Sequence, residues 1–99
     1  MRLVYTKPAL DRIAEIQVFW AALTSEEKAE AIVSSLMEKT RRLCEQPLSG
    51  FPERKLTHLG KGHRSFLLGR YKIIYYVHDD EVRVTDFFDT RQHPSRMRG

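Results

Sequence analysis

The sequence is poor in the residues that staple, span or hold metals. Cys44 is its only cysteine, so an internal disulfide is excluded and a reducing, cytoplasmic setting is expected. Cys44 also falls on an apolar helical face, which predicts a buried, inert thiol rather than a nucleophile. No apolar run approaches the length of about 18 residues that crosses a bilayer, so no membrane role is expected. The opening MRLVYTKPAL lacks a sustained apolar stretch and a small-residue cleavage site, and reads as mature sequence. Internal repeats, low-complexity tracts and linkers are all missing. One domain over residues 1–99 is therefore expected. A Gly-rich phosphate loop, an HExxH pair and a cysteine pair are missing too. His58, His63, His78 and His93 are not spaced as zinc ligands. Neither a metal nor another cofactor is expected.

Positive charge is present, and it is unevenly placed. Residues 1–52 hold 7 Lys/Arg against 7 Asp/Glu, a net of zero, whereas residues 53–99 hold 10 against 6, a net of +4. The span 53–72 alone sets Arg54, Lys55, Lys61, Arg64, Arg70 and Lys72 against Glu53. A local field of this sign attracts nucleic acid or an acidic protein segment. A merely solvated basic surface is the plainer alternative.

Arg2 to Tyr5 is β-prone. Thr6 is placed to cap a helix that tolerates Pro8 in its first turn. Ala9, Ile13, Ile16, Trp20 and Leu23 then recur at helical spacing. Thr24-Ser25-Glu26-Glu27 resembles a capping box opening a second helix. Along that helix Ala29, Ile32, Val33, Leu36, Thr40 and Leu43 share a face, and Pro47 ends it. The short break between the two predicts an antiparallel helix hairpin. Leu48 to Gly62 reads mostly as loop, with a short strand near Lys55–His58. Strands are predicted over Arg64–Leu68, Tyr71–Val77 and Val82–Phe88, the last two joined by a turn at His78-Asp79-Asp80-Glu81. The result is an α+β fold, with the hairpin on one face of a small, mainly antiparallel sheet. Strict alternation puts Val82, Val84, Asp86 and Phe88 on one face and Arg83, Thr85 and Phe87 on the other. Both faces hold large apolar groups. The face away from the helices is expected to be an exposed binding surface unless loops and the tail cover it. The tail at Arg96-Met97-Arg98 is expected to be loose.

The basic groups near the sheet suit two jobs. Lys55, Lys61, Arg70 and Lys72 are candidates for gripping a phosphate backbone or an acidic target. A metal-free ribonuclease would need more: a base on the ribose 2′-OH, cations on the phosphorane, and an acid at the leaving oxygen. Arg64 and Arg91 are the candidates for the cationic role, since the guanidinium fork matches phosphate oxygens. Glu53, His93, His63 and Tyr75 are the candidates for proton transfer. Arg64 has a structural alternative, pairing with an acid such as Asp86 across the sheet. The tyrosines of the second strand have one as well, ordinary strand packing.

Several segments, in order, carry a resemblance. They are Pro47-Leu48-Ser49-Gly50, then Gly62-His63-Arg64, then Leu68-Gly69-Arg70-Tyr71-Lys72-Ile73-Ile74-Tyr75-Tyr76-Val77, then Val82-Arg83-Val84. The last is Asp89-Thr90-Arg91-Gln92-His93-Pro94. Together with Lys7-Pro8-Ala9 and the helix through Trp20, they resemble the RelE/ParE superfamily of toxins from type II toxin–antitoxin, or plasmid-stabilisation, systems. The resemblance implies a cognate antitoxin with a flexible, often acidic C-terminal segment that wraps the toxin. It also implies operator DNA read through the antitoxin. It leaves the target open between DNA gyrase, inhibited by ParE-like members, and mRNA in the ribosome, cut by RelE-like members. The Gly-x-Tyr-x-Ile-x-Tyr arrangement behind Arg64 is the more ParE-like. Asp89 to Gly99 holds His93 but no aromatic group. If the chain is a nuclease, the resemblance places Arg64 and Arg91 on phosphate and His93 or Glu53 on proton transfer. A basic nucleic-acid-binding module without toxicity is the competing class.

Overall fold

Two helices cover one face of a five-stranded sheet, and the computed structural model describes residues 1–99 throughout. Strand β1 is Arg2–Tyr5, helix α1 Lys7–Leu23 and helix α2 Glu26–Leu43. The two-residue β2, Phe51–Pro52, and a 3-10 helix over Arg54–Leu59 precede β3, Arg64–Leu68. Strands β4, Tyr71–His78, and β5, Glu81–Asp89, form the hairpin, and a 3-10 turn at Pro94–Arg96 begins the tail. The sheet runs β1-β5-β4-β3-β2. Only β1 lies parallel to its neighbour, β5; the other pairings are antiparallel. The α+β architecture expected from the sequence is the one observed.

The helix ends follow from local chemistry. Thr6 Oγ1 accepts from Ala9 N at 3.3 Å, and Pro8 sits in the first turn of α1, where its missing N–H costs nothing. The capping residue of α2 is Ser25, not Thr24. Ser25 Oγ accepts from Lys28 N at 3.1 Å, while the Thr24 hydroxyl turns back to donate to Trp20 O. Glu26 and Glu27 in the first turn of α2 and Arg41 and Arg42 in its last suit the helix dipole. Ala9, Ile16, Leu36 and Leu43 from the helices bury against Tyr71, Ile73, Tyr75, Val82, Val84 and Phe87 of the sheet. Cys44, at the end of α2, packs half-buried against this core, and burial pushes its thiol pKa up.

One residue breaks the expected alternation. Ile74 pairs with Asp86, but Tyr75 pairs with Val84, so Thr85 bulges from β5. A one-residue shift reverses every side chain beyond it. Phe87 thus joins Val82 and Val84 beneath the helices, and Phe88 goes to the far side with Ile74.

The far side is covered rather than bare. The 3-10 helix contributes Leu56 and the tail contributes Met97, and both bury with Ile74 and Phe88. The strand expected near Lys55–His58 is therefore a 3-10 helix, closed by Gly60 at a left-handed φ of 70°. The tail is held at several points. Arg98 N donates to Asp86 Oδ2 at 2.9 Å, and Arg98 O accepts from Thr85 Oγ1 at 3.0 Å. Burying a methionine side chain contributes about 1.5–3 kcal/mol, which explains why this segment docks rather than hanging free.

Candidate functional site

Three of the sequence signals converge on one loop. The buried Tyr75 hydroxyl donates to Pro47 O at 2.8 Å and accepts from Gly50 N at 3.0 Å. Arg64 Nη1 donates to Gly50 O at 2.7 Å. Gly50 is required by space: a Cβ there would lie 2.7 Å from Tyr75 Oη and 2.8 Å from Ser65 O. Burial raises the Tyr75 pKa, against the opposing pull of the Gly50 N–H and the Arg64 charge. Tyr75 is thus a neutral phenol that ties the Pro47–Gly50 loop to the sheet. Arg64 does not pair with Asp86. That carboxylate takes Arg12 from α1 instead, Nε to Oδ1 at 2.9 Å.

A groove of 660 Å³ opens on the sheet face away from the helices, between the β3 edge, the 3-10 helix and the tail. Its walls include Phe51, Leu67, Phe88 and Met97, with Arg54, Lys55 and Lys72 as its cations. Glu53 lines it at 5% exposure. Its Oε2 accepts from Lys55 N at 3.1 Å, and its Oε1 faces Lys72 Nζ at 3.0 Å. Burial alone would raise the Glu53 pKa, but the Lys55 N–H and the Lys72 ammonium more than offset it and hold the carboxyl below its usual 4.5. Glu53 and Lys72 therefore neutralise each other. Arg54 and Lys55 are exposed and take no part in the ion pairs of the chain.

The remaining candidates lie elsewhere. Arg70 pairs with Asp89 and stacks over Phe19, Trp20 and Tyr71 at 5.3, 5.2 and 5.5 Å. Trp20 Nε1 donates to Tyr71 Oη at 2.8 Å within the same cluster. Arg91 is exposed on the turn after β5, where its backbone N–H donates to Asp89 Oδ1 at 2.9 Å. His93 caps the tail's 3-10 turn, with Nδ1 accepting from Ser95 N at 3.1 Å. Lys61 sits over the Tyr76 ring at 5.3 Å. His63 is buried at 3% exposure, edge-on to Tyr76, and neither ring nitrogen has a hydrogen-bond partner. Burial lowers its pKa; the adjoining Gly99 backbone opposes this, while the charges of Lys61 and His58 reinforce it.

The groove thus collects Glu53, Lys55 and Lys72, but Arg64, Arg91 and His93 do not line it. Three participants were not foreseen. Arg54 borders the groove, and Arg12 with Asp86 anchors its tail wall. A lone acid between Val84 and Phe87 was the available signal for Asp86, since buried charges need partners. No group of three or more His, Cys, Asp or Glu side chains is placed to hold a metal ion.

Residues 3–94 match the family model described as the ParE toxin of the type II toxin–antitoxin system, parDE. The chain belongs to the ParE toxin family. A chain in the solved structure of the chromosomal ParDE TA system from P. aeruginosa superposes on this toxin with a TM-score of 0.77. That superposition is at 20% sequence identity and covers 90% of this chain and 95% of that one. At that identity the likeness speaks for the fold. No functionally characterised protein matched the chain by sequence. No helix of this ParE-family toxin is long and apolar enough to cross a membrane.

Proposed function

We propose that this ParE-family toxin acts by binding, as an inhibitor of DNA gyrase, and that a cognate antitoxin neutralises it. The observation that carries this reading is the engagement of the proton-transfer candidates. Glu53 is locked to Lys72, Tyr75 to the Pro47–Gly50 loop, and His93 to the tail turn. A metal-free ribonuclease needs a base and an acid free to reach one phosphate; Glu53 and Tyr75 are tied up, His63 is buried at 3% exposure, and the exposed His93 does not line the groove. The gyrase reading needs only a surface.

The antitoxin fits the helix side. A second groove of 430 Å³ runs between the helices and the β3–β4 turn, lined by Trp20, Ile32, Leu36, Leu68 and Tyr71. Beyond Ser65 the outer edge of β3 is unpaired by β2, and Leu67 there is 61% exposed. An unpaired edge beside an apolar groove suits an extended segment that adds a strand and inserts side chains. The antitoxin would also carry the complex to operator DNA. All 99 residues act in this reading as one domain, since both apolar layers share the same sheet.

The RNA-cutting alternative is the second reading of the family resemblance, and one experiment separates the two. The toxin is induced without antitoxin in a bacterial host, and DNA and protein synthesis are pulse-labelled in parallel. An early fall in DNA synthesis is the expected result. An early stop in translation would replace the gyrase reading with the ribosome-dependent endonuclease. Unimpaired growth with soluble protein would remove both.

A further inference from the structure

The geometry points to the 660 Å³ groove on the tail side as the surface that grips the toxin's protein target, through an acidic segment carrying an aromatic or aliphatic anchor. The inference rests on the gyrase-binding reading and adds where and how the target is held.

The groove is built for that chemistry. Phe88 and Met97 give it an apolar floor, and both are packed from behind by Leu56 and Ile74. A thioether beside an aromatic ring makes an adaptable seat for a side chain of varied shape. Phe51, 80% exposed on the two-residue β2, stands at the rim. An aromatic group left so bare beside a concavity is typical of a contact surface. On the same wall stand Arg54 and Lys55, neither engaged in an ion pair. The only acid lining the groove is Glu53, and Lys72 cancels it. Two uncommitted cations over an apolar floor complement a short acidic stretch with one anchor.

The same features argue against a nucleic acid there. Phosphate-driven binding gains with each phosphate that a lysine or arginine neutralises, so it draws on many cations at once. This groove offers two free cations beside an apolar floor. The two grooves share no lining residue, but Leu67 on the β3 edge, part of the antitoxin's proposed path, also lines this one, so the residues that report on the target alone are Phe51, Arg54 and Lys55. Target and antitoxin would therefore leave different marks in mutagenesis.

The test uses the purified full chain, purified gyrase, purified antitoxin and a single-stranded RNA oligonucleotide. The charge-reversed double variant Arg54→Glu/Lys55→Glu removes the rim cations, and Phe51→Ser removes the rim aromatic without touching charge. Thermal unfolding establishes that each variant is folded. The expected result is a loss of about tenfold or more in inhibition of supercoiling by each variant, with antitoxin affinity unchanged. Wild-type inhibition that both variants retain overturns the groove assignment and leaves the gyrase reading standing. Failure of the wild type to inhibit gyrase removes the reading and the inference together. Loss of antitoxin affinity in parallel with inhibition overturns the inference, because the groove would then belong to the antitoxin. RNA binding that the charge reversal abolishes overturns it in favour of a nucleic-acid occupant.

Discussion

Replacing Asp86 with alanine should be among the most damaging single changes in this chain. Asp86 is fully buried and does two jobs: it pairs with Arg12 and accepts the Arg98 backbone N–H. Removing it strands the Arg12 guanidinium, whose side chain is only 14% exposed. Breaking a buried pair from one side costs about 3–5 kcal/mol. Arg12 keeps Glu15 at 3.1 Å as a second partner, so the low end, about 3 kcal/mol, is the appropriate figure. Against a total stability of about 5–15 kcal/mol, that is a large share. For a domain of this size it corresponds to roughly 12–24 °C in melting temperature. Loss of the Arg98 anchor should also loosen Met97 from Leu56, Ile74 and Phe88. Urea and thermal unfolding followed by circular dichroism would measure the loss. Hydrogen exchange at Met97 and Arg98 would show the tail released. The double variant Arg12→Met/Asp86→Leu should be more stable than Asp86→Ala alone, since no charge is left buried without a partner. An Asp86→Ala protein within about 1 kcal/mol of wild type, or a double variant worse than the single one, would refute this account of the tail.

Three further outcomes follow from groups described above. Tyr75→Phe leaves the Gly50 N–H and the Pro47 carbonyl without their hydroxyl partner, and should cost about 1–3 kcal/mol in chemical unfolding. Gly50→Ala forces a Cβ against Tyr75 Oη and Ser65 O. It should cost a similar 1–3 kcal/mol or so, and Tyr75→Phe should rescue it only in part, because the Ser65 clash remains. His63 has a folded pKa below its unfolded value of 6.5, so the unfolded chain binds the proton more readily. Its contribution to stability should be complete above pH 6.5 and decline as pH falls below it. His63→Gln should flatten the stability profile below pH 6.5, a slope of at most about 1.4 kcal/mol per pH unit, and an unchanged acid slope would assign it to other groups.

The sequence carried the layers well and the phase poorly. Thr6 and Pro8, the apolar stripe of α1 and the Tyr71–Val77 run were legible because each is a local pattern with a local cause. The bulge at Thr85 was not. Nothing in Val82-Arg83-Val84-Thr85-Asp86-Phe87-Phe88 distinguishes a skipped pairing from strict alternation. It is set by the register of β4 and by Asp86 reaching Arg12, 74 residues away along the chain. Leu56 and Met97 were missed for a related reason. A lone apolar residue in a polar stretch reads as loop until the face it covers is known. The motif residues were recognisable in order and spacing, but their roles were not. Arg64 and Tyr75 proved to hold a loop, a job that depends on carbonyls no side-chain pattern reveals.

The pairing of β1 with β5 sets the timing of the whole fold. Arg2 lies beside Glu81 and Tyr5 beside Val84, so the first strand of the sheet waits for its last. In the meantime α1 and α2 have only each other, because Tyr71, Ile73, Tyr75 and Phe87, which take up their apolar faces, are also still to come. Such distant partners make for late, cooperative closure. A nascent chain cut short before β5 can build neither the sheet nor the floor of the tail-side groove. Sheet closure, the helix-side core and the floor of the tail-side groove therefore all hang on one strand, β5.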